Sequence, residues 1–218
     1  MQQPSSTLFA PQSLGKTVKV RLTWPAAVDA SGIARYELHR KKGSYAWVGI
    51  TLPALTATAV DVPVAPGASY RFRLRAHDGA GNIGAWVTTP SATVRLRQET
   101  SGAITYSGSW IRSYLSGASG GYVRKTGVAG RSATFTFTGS RVAFVSTRAP
   151  SRGRAEVWLD GTKLATLDLY APSRQTKGVV WAATVTATTH RVQIRVLGTK
   201  QSASSSTRVD LDAFLIYP

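Results

Sequence analysis

Ten acidic residues, three histidines and no cysteine are the groups from which acid–base, nucleophilic or metal chemistry would have to be built. Hydrolysis by paired carboxylates needs two acids facing each other across a cleft. The acids of this chain are scattered over turns and strand ends. Only Asp210 and Asp212 pair in sequence, and an extended backbone sets them on one face of one strand, roughly 7 Å apart. A Ser–His–acid triad is defined by geometry. Here His190 opens an apolar strand, and no Gly-x-Ser-x-Gly elbow occurs. No phosphate-cradling glycine loop and no histidine cluster with metal spacing appears. The lack of cysteine excludes thiol nucleophiles, thiolate metal sites and a disulfide framework. These features predict a protein that is not an enzyme and requires no cofactor.

Three polar groupings invite a binding role. Arg71, Arg73 and Arg75 alternate with apolar residues and form an outward basic stripe. Such a stripe either binds a polyanion or is a solvated strand face that guards against edge pairing. Asp78 and Asn82 offer oxygens for a cation, or simply the side-chain-to-backbone bonds of a turn. His39 and His77 fall on separate predicted strands, with no carboxylate partner evident nearby.

The elements that must position these groups are strands. Val18, Val20, Leu22 and Trp24 alternate with Lys19, Arg21 and Thr23, and period two means one buried and one wet face. Residues 33–40, 46–50 and 57–62 are further candidates. Tyr70, Phe72, Leu74 and Ala76 give the clearest strand, and residues 94–97 would close this half. In the second half the candidates are 104–110, 133–138, 141–147, 155–159, 163–169, 179–184, 190–197 and 208–217. Asp160-Gly161 is the strongest hairpin signal, because a type I′ turn needs positive φ at both positions. No stretch keeps helical periodicity. The expected fold is all-β, in two domains: residues 1–98, a sandwich of about seven short strands, and residues 99–218, a jelly roll of about eight.

Trp24, "YELHR" at 36–40 and "PGASYRFRLRAHDGAGNIGAW" at 66–86 resemble a bacterial fibronectin type III domain over residues 16–97. That resemblance implies a spacer or protein-contact module, with Tyr70 making the family's tyrosine corner. "ITYSGSW" (104–110), "ATFTFTGSRVAFVSTRAPSRGRAEVWLDG" (133–161), "VLGTK" (196–200) and "RVDLDAFLIY" (208–217) are similar to galactose-binding-like jelly rolls. That architecture is shared by many carbohydrate-binding modules. Ligands of such sandwiches usually meet loops at one end of the sheets. A sugar needs an aromatic face for its apolar side and planar polar groups for its hydroxyls. Candidate aromatics are Tyr106, Trp110, Tyr114, Tyr122, Tyr170 and Trp181. Candidate polar groups are Arg148, Arg152, Arg154, Arg174 and Lys200, and an arginine fork suits the carboxylate or sulfate of an acidic sugar. Arg148, Arg152 and Tyr170 sit in predicted loops, and Trp110 and Lys200 complete the expected ligand set. The resemblance also implies a structural calcium, held by Asp210, Asp212 and Glu99 with backbone carbonyls completing its shell.

The formal charge is +17, spread as 12 Lys/Arg against 4 acids in residues 1–98 and 15 against 6 in residues 99–218. Such a field attracts polyanions of any kind. No apolar run is long enough to span a membrane, and no reader motif for nucleic acid is present. Residues 1–12 lack the basic start and apolar run of a signal peptide, as expected of a fragment of a longer exported protein. The sequence therefore predicts a secreted or cell-surface accessory region. Its partner would be a polysaccharide or cell-wall glycan, possibly acidic. The rival expectation is a structural or adhesive module that grips a protein partner or an anionic surface.

Overall fold

The computed structural model describes residues 2–8 and 10–218. All its strand pairings are antiparallel, and the described residues contain no α-helix. In chain order the strands are β1 (Ser5–Leu8), β2 (Gln12–Ser13), β3 (Val18–Thr23), β4 (Ile33–Lys42), β5 (Val48–Ile50), β6 (Ala59–Val64), β7 (Ser69–Asp78), β8 (Val87–Thr88), β9 (Ala92–Thr93) and β10 (Arg95–Gln98). They continue as β11 (Ile104–Ser107), β12 (Ile111–Tyr114), β13 (Tyr122–Thr126), β14 (Ser132–Arg148), β15 (Arg154–Leu159), β16 (Thr162–Asp168), β17 (Gln175–Val196), β18 (Val209–Leu211) and β19 (Ala213–Tyr217). The chain forms two compact units, one of Met1–Leu8 with Thr17–Val94, the other of Phe9–Lys16 with Arg95–Pro218. These bounds differ from the ranges 1–98 and 99–218 at two places. β2 pairs β17, and β10 pairs β19 rather than closing the first sheet, so backbone hydrogen bonds carry both segments into the second unit.

In the first unit one sheet has the order β1-β3-β6, the other β5-β4-β7-β8 with β9 also on β7. The period-two patterns are realised directly. Val18, Val20 and Leu22 on β3, and Tyr70, Phe72, Leu74 and Ala76 on β7, are buried. The Tyr70 hydroxyl accepts the Ala65 N–H at 3.0 Å, and the Tyr36 hydroxyl accepts the Ala27 N–H at 2.7 Å.

The opposite faces of β4 and β7 correct two expectations. Arg73 and Arg75 are not solvated tips. The Arg73 guanidinium lies 4.6 Å from the Trp47 ring and 4.1 Å from the Trp86 ring, and Arg75 lies 4.4 Å from Trp86 on a second approach. His39 and His77 do have a carboxylate: Glu37 contacts them at 2.9 and 3.2 Å and Arg75 at 2.7 Å. The register explains it, since Glu37 faces Arg75 and His39 faces Arg73 across the strands. Asp78 accepts the Asn82 N–H at 2.8 Å and its side-chain amide at 2.7 Å, which is turn chemistry. Each cation–π contact contributes about 0.5–2 kcal/mol according to its desolvation. Trp86→Ala removes two of them together with a ring contact to His39. It should lower stability by about 2–3 kcal/mol, read as an earlier urea-unfolding transition of the full chain.

The second unit is organised by one long ribbon. The sequence suggests two strands at 133–147 and two at 179–197, but each pair is a single continuous strand, β14 and β17. They are paired from Ser132↔Arg195 to Arg148↔Gln175, with register shifts at 139–141, 144–145 and 146–148. The first half of β14 pairs β11 and the second half pairs β19, so the ribbon serves two sheet regions. A separate sheet has the order β12-β13-β18. Phe135, Phe144, Phe214, Ile194 and Leu211 are fully buried in the common core. The Asp160-Gly161 turn has φ of 49° and 84°, as its type requires, and Asp160 is clipped to His190 at 2.6 Å.

Candidate functional site

The second unit carries a cleft of about 570 Å³, within the usual range for ligand pockets. It forms beside β17, between the residues that pair β2 and the end of β16. Leu167, Leu169, Val179 and Val180 supply apolar walls, and Arg148, Asp168, Gln175 and Thr176 supply polar groups. Pro11, Gln12 and Ser13 close one side. Arg148 ends β14 opposite Gln175. Its Nη2 donates to the Tyr170 carbonyl at 3.1 Å, and its Nε is buried with no hydrogen-bond partner among the described residues. The Asp168 carboxylate is half-exposed, accepting the Tyr170 N–H at 3.0 Å through Oδ1 and Arg154 Nε at 3.3 Å through Oδ2. Asp168 is the sole acid among the lining residues, so the cleft offers hydrogen-bonding groups beside apolar surface but no facing pair of carboxylates.

Arg152, expected to meet ligand, is instead 3% exposed. Its Nε and Nη2 both donate to Asp210 Oδ2, at 2.9 and 2.6 Å, while Arg208 Nε donates to Asp210 Oδ1 at 2.6 Å. Around this ion cluster the loops are stitched by backbone bonds: Ala149 N–H to Leu169 O, Leu169 N–H to Gly153 O, and Gly153 N–H to Arg208 O. Gly153 must be glycine, because a Cβ there would stand 2.3 Å from the Thr207 carbonyl oxygen. Arg152 therefore positions the loop that follows Arg148 and the strand end that carries Asp168. Arg152→Ala would leave Asp210 charged, buried and short of a partner, a loss of about 3–5 kcal/mol. The expected result is a large drop in unfolding midpoint, with no comparable drop for Arg174→Ala, which alters an exposed residue.

The remaining sequence-predicted residues fall in several places. Tyr170 is half-buried beside the cleft and touches Arg148 through its carbonyl. Trp110 is core: it is 6% exposed and packs 5.5 Å from Tyr106, which removes it as a sugar platform. Trp181 is also core. Lys200 is exposed and donates its ammonium to the Ser204 carbonyl within the 197–208 loop. Tyr114 and Tyr122 are exposed. Trp158 donates Nε1 to Glu156 at 2.9 Å. Asp168, Gln175 and Thr176 were not singled out from sequence, though Asp168 closes a clear strand two residues before Tyr170. Nothing in residues 11–13 signals that they form a wall.

The three acids proposed for calcium do not fit it. Asp210 is saturated by two guanidinium groups, whose positive charge opposes a dication. Glu99 is 3% exposed and bonds Arg112 at 2.8 Å. Asp212 accepts the Ser119 N–H at 3.0 and 3.1 Å with its two oxygens. No group of three or more metal-ligating side chains occurs among the described residues. Burial, reinforced by the nearby Glu99 and Asp210 carboxylates, pushes the Asp212 carboxyl up to about 7. A carboxyl held above its unfolded value binds its proton more tightly in the fold. Its stabilising contribution is therefore whole below about pH 4 and is lost as pH rises toward 7. Asp212→Asn should raise the melting temperature at pH 8 and change it little at pH 4, by scanning calorimetry.

No family model matches the chain. It is 30% identical over 142 residues to "Chitinase D" of Niallia circulans, covering 65% of this chain and 25% of that protein. It is 39% identical over 72 residues to "Endoglucanase B" of Cellulomonas fimi, covering 32% of this chain and 6% of that protein. The chain thus spans a quarter or less of the length of these relatives. Among solved structures, a family 35 carbohydrate-binding module from Clostridium thermocellum is covered over 98% of its length by 56% of this chain, at 14% identity and a TM-score of 0.40.

Proposed function

We propose that this chain is a non-catalytic, polysaccharide-binding accessory region of a larger extracellular glycan-processing protein. In this reading the first unit is a fibronectin type III-like spacer. Its two packed sheets and the bond from the Ala65 N–H to the Tyr70 hydroxyl support that. The second unit is a jelly-roll binding module, and the glycan lies in its cleft. The observation that carries the reading is the cleft's composition: a guanidinium, a carboxylate and an exposed amide beside apolar walls. Such a surface matches a sugar, with hydroxyls on its edge and C–H groups on its face. Two relatives bear the names of polysaccharide-degrading enzymes, and the chain matches only a part of each. A lone acid in the cleft supports binding without hydrolysis.

The charge of +17 favours a second reading, an adhesive module that holds an anionic surface. Salt separates the two. We expect retention on chitin or cellulose that persists in about 0.5 M salt, where exposed charges are largely screened, and that Arg148→Ala weakens roughly tenfold or more. Binding to acidic polymers alone, abolished by salt, would overturn the cleft reading in favour of the adhesive one.

A further inference from the structure

The β12–β13 hairpin presents an aromatic step that the cleft does not include. Tyr114 faces Tyr122 across the two strands, and Arg112 faces Arg124, so all four side chains share one face. Tyr114 is 70% and Tyr122 37% exposed, and they are the only large aromatic rings exposed among the described residues of the second unit. Their rings meet edge to face at 5.7 Å. The Arg112 guanidinium covers the Tyr122 ring at 3.8 Å. The hairpin is held rigidly. The Leu115 N–H bonds the Gly121 carbonyl at 2.9 Å, and Leu115, Ala118 and Val123 form a small buried cluster beneath it.

The step adjoins the cleft. Gly117, with φ of +87°, lies so close to Thr176 that a Cβ would stand 2.7 Å from the Thr176 hydroxyl oxygen. Thr176 lines the cleft. Tyr114 is three residues before Gly117, a reach of at most about 10 Å of extended backbone. The cations at the step are already engaged. Arg112 bonds Glu99 at 2.8 Å, and Arg124 donates to the Trp110 carbonyl and lies 4.8 Å from the Tyr106 ring. What remains for a ligand is the face of Tyr114, a stacking surface and not a charge.

We infer that Tyr114 is a second sugar subsite, stacking on one unit of a neutral glycan chain whose neighbouring units occupy the cleft across Gly117 and Thr176. The inference rests on the cleft reading and deepens it: the ligand is an extended neutral oligosaccharide, and affinity grows with chain length. The test is titration calorimetry with chitin- and cellulose-derived disaccharides and hexasaccharides, on wild type, Tyr114→Ala, Tyr114→Phe and Arg148→Ala, at low and at high salt.

Tyr114→Ala should weaken the hexasaccharide roughly tenfold, leave the disaccharide within about twofold, and keep the wild-type melting temperature. Tyr114→Phe should restore hexasaccharide binding, and salt should change neither value. Equal hexasaccharide affinity in wild type and Tyr114→Ala, with loss in Arg148→Ala, overturns the second subsite and leaves the cleft standing. Absence of binding by wild type to every glycan overturns both. Dissociation of a wild-type dimer by Tyr114→Ala in sedimentation, with glycan affinity unchanged, would make the step a self-association face and overturn the inference.

Discussion

The Asp210 carboxylate between Arg152 and Arg208 is the interaction on which the cleft-bearing end of the second unit depends. A fully buried anion is tolerated only when paired and hydrogen-bonded, and here it accepts from two guanidinium groups. Each partner belongs to a different stretch of chain. Arg152 lies in the loop after β14, Arg208 at the end of the 197–208 loop, and Asp210 on β18. The ion cluster ties two irregular segments, the loop after β14 and the 197–208 loop, to β18. Burial lowers the Arg152 pKa and the Asp210 carboxylate opposes that shift, but an arginine keeps its charge in either case.

The geometry of the cleft follows from this constraint by short steps. The 149–153 loop bonds Leu169 on both sides, so the end of β16 is set by the loop, and Asp168 with it. Ser204 extends the stitching, its hydroxyl donating to the carbonyl of Arg152 at 2.8 Å. Arg148 leaves the sheet immediately before the loop and is oriented by the Tyr170 carbonyl. The cleft's polar groups are thus anchored through neighbours, which keeps the site in place without ligand. The first unit has a parallel device on its β4–β7 face, where Trp47, Arg73, Trp86 and Arg75 stack in alternation over Glu37.

The all-β fold was legible because period-two alternation is a direct imprint of the pleat. Residues 70–76 and the Asp160-Gly161 turn appear in the structure as their sequence demands. The continuity of β14 and β17 was not legible. A ribbon that changes partners along its length shows shifts of register and pattern that read as strand ends. The candidate cleft was half legible. Arg148, expected in a loop between strands, lines it, and Tyr170 lies beside it. Arg152 was expected in the same loop, and its burial depends on Asp210, 58 residues away. Trp110 was misplaced because an aromatic residue near a glycine-rich stretch reads alike whether it packs inward or outward. Long-range partners decide the fate of polar and aromatic residues, and a single sequence does not carry them.

A glycan chain lying along the second unit, in the cleft beside β17 as proposed, would steady the backbone that lines it. Amide hydrogen exchange of the whole chain, with and without a bound hexasaccharide, tests this most directly, because exchange reports which backbone segments a ligand steadies. The expected result is slowed exchange at residues 148–153, 166–171 and 175–180, with the first unit unchanged. Slowing confined to β4 and β7 of the first unit, or no slowing at a saturating concentration, would contradict it.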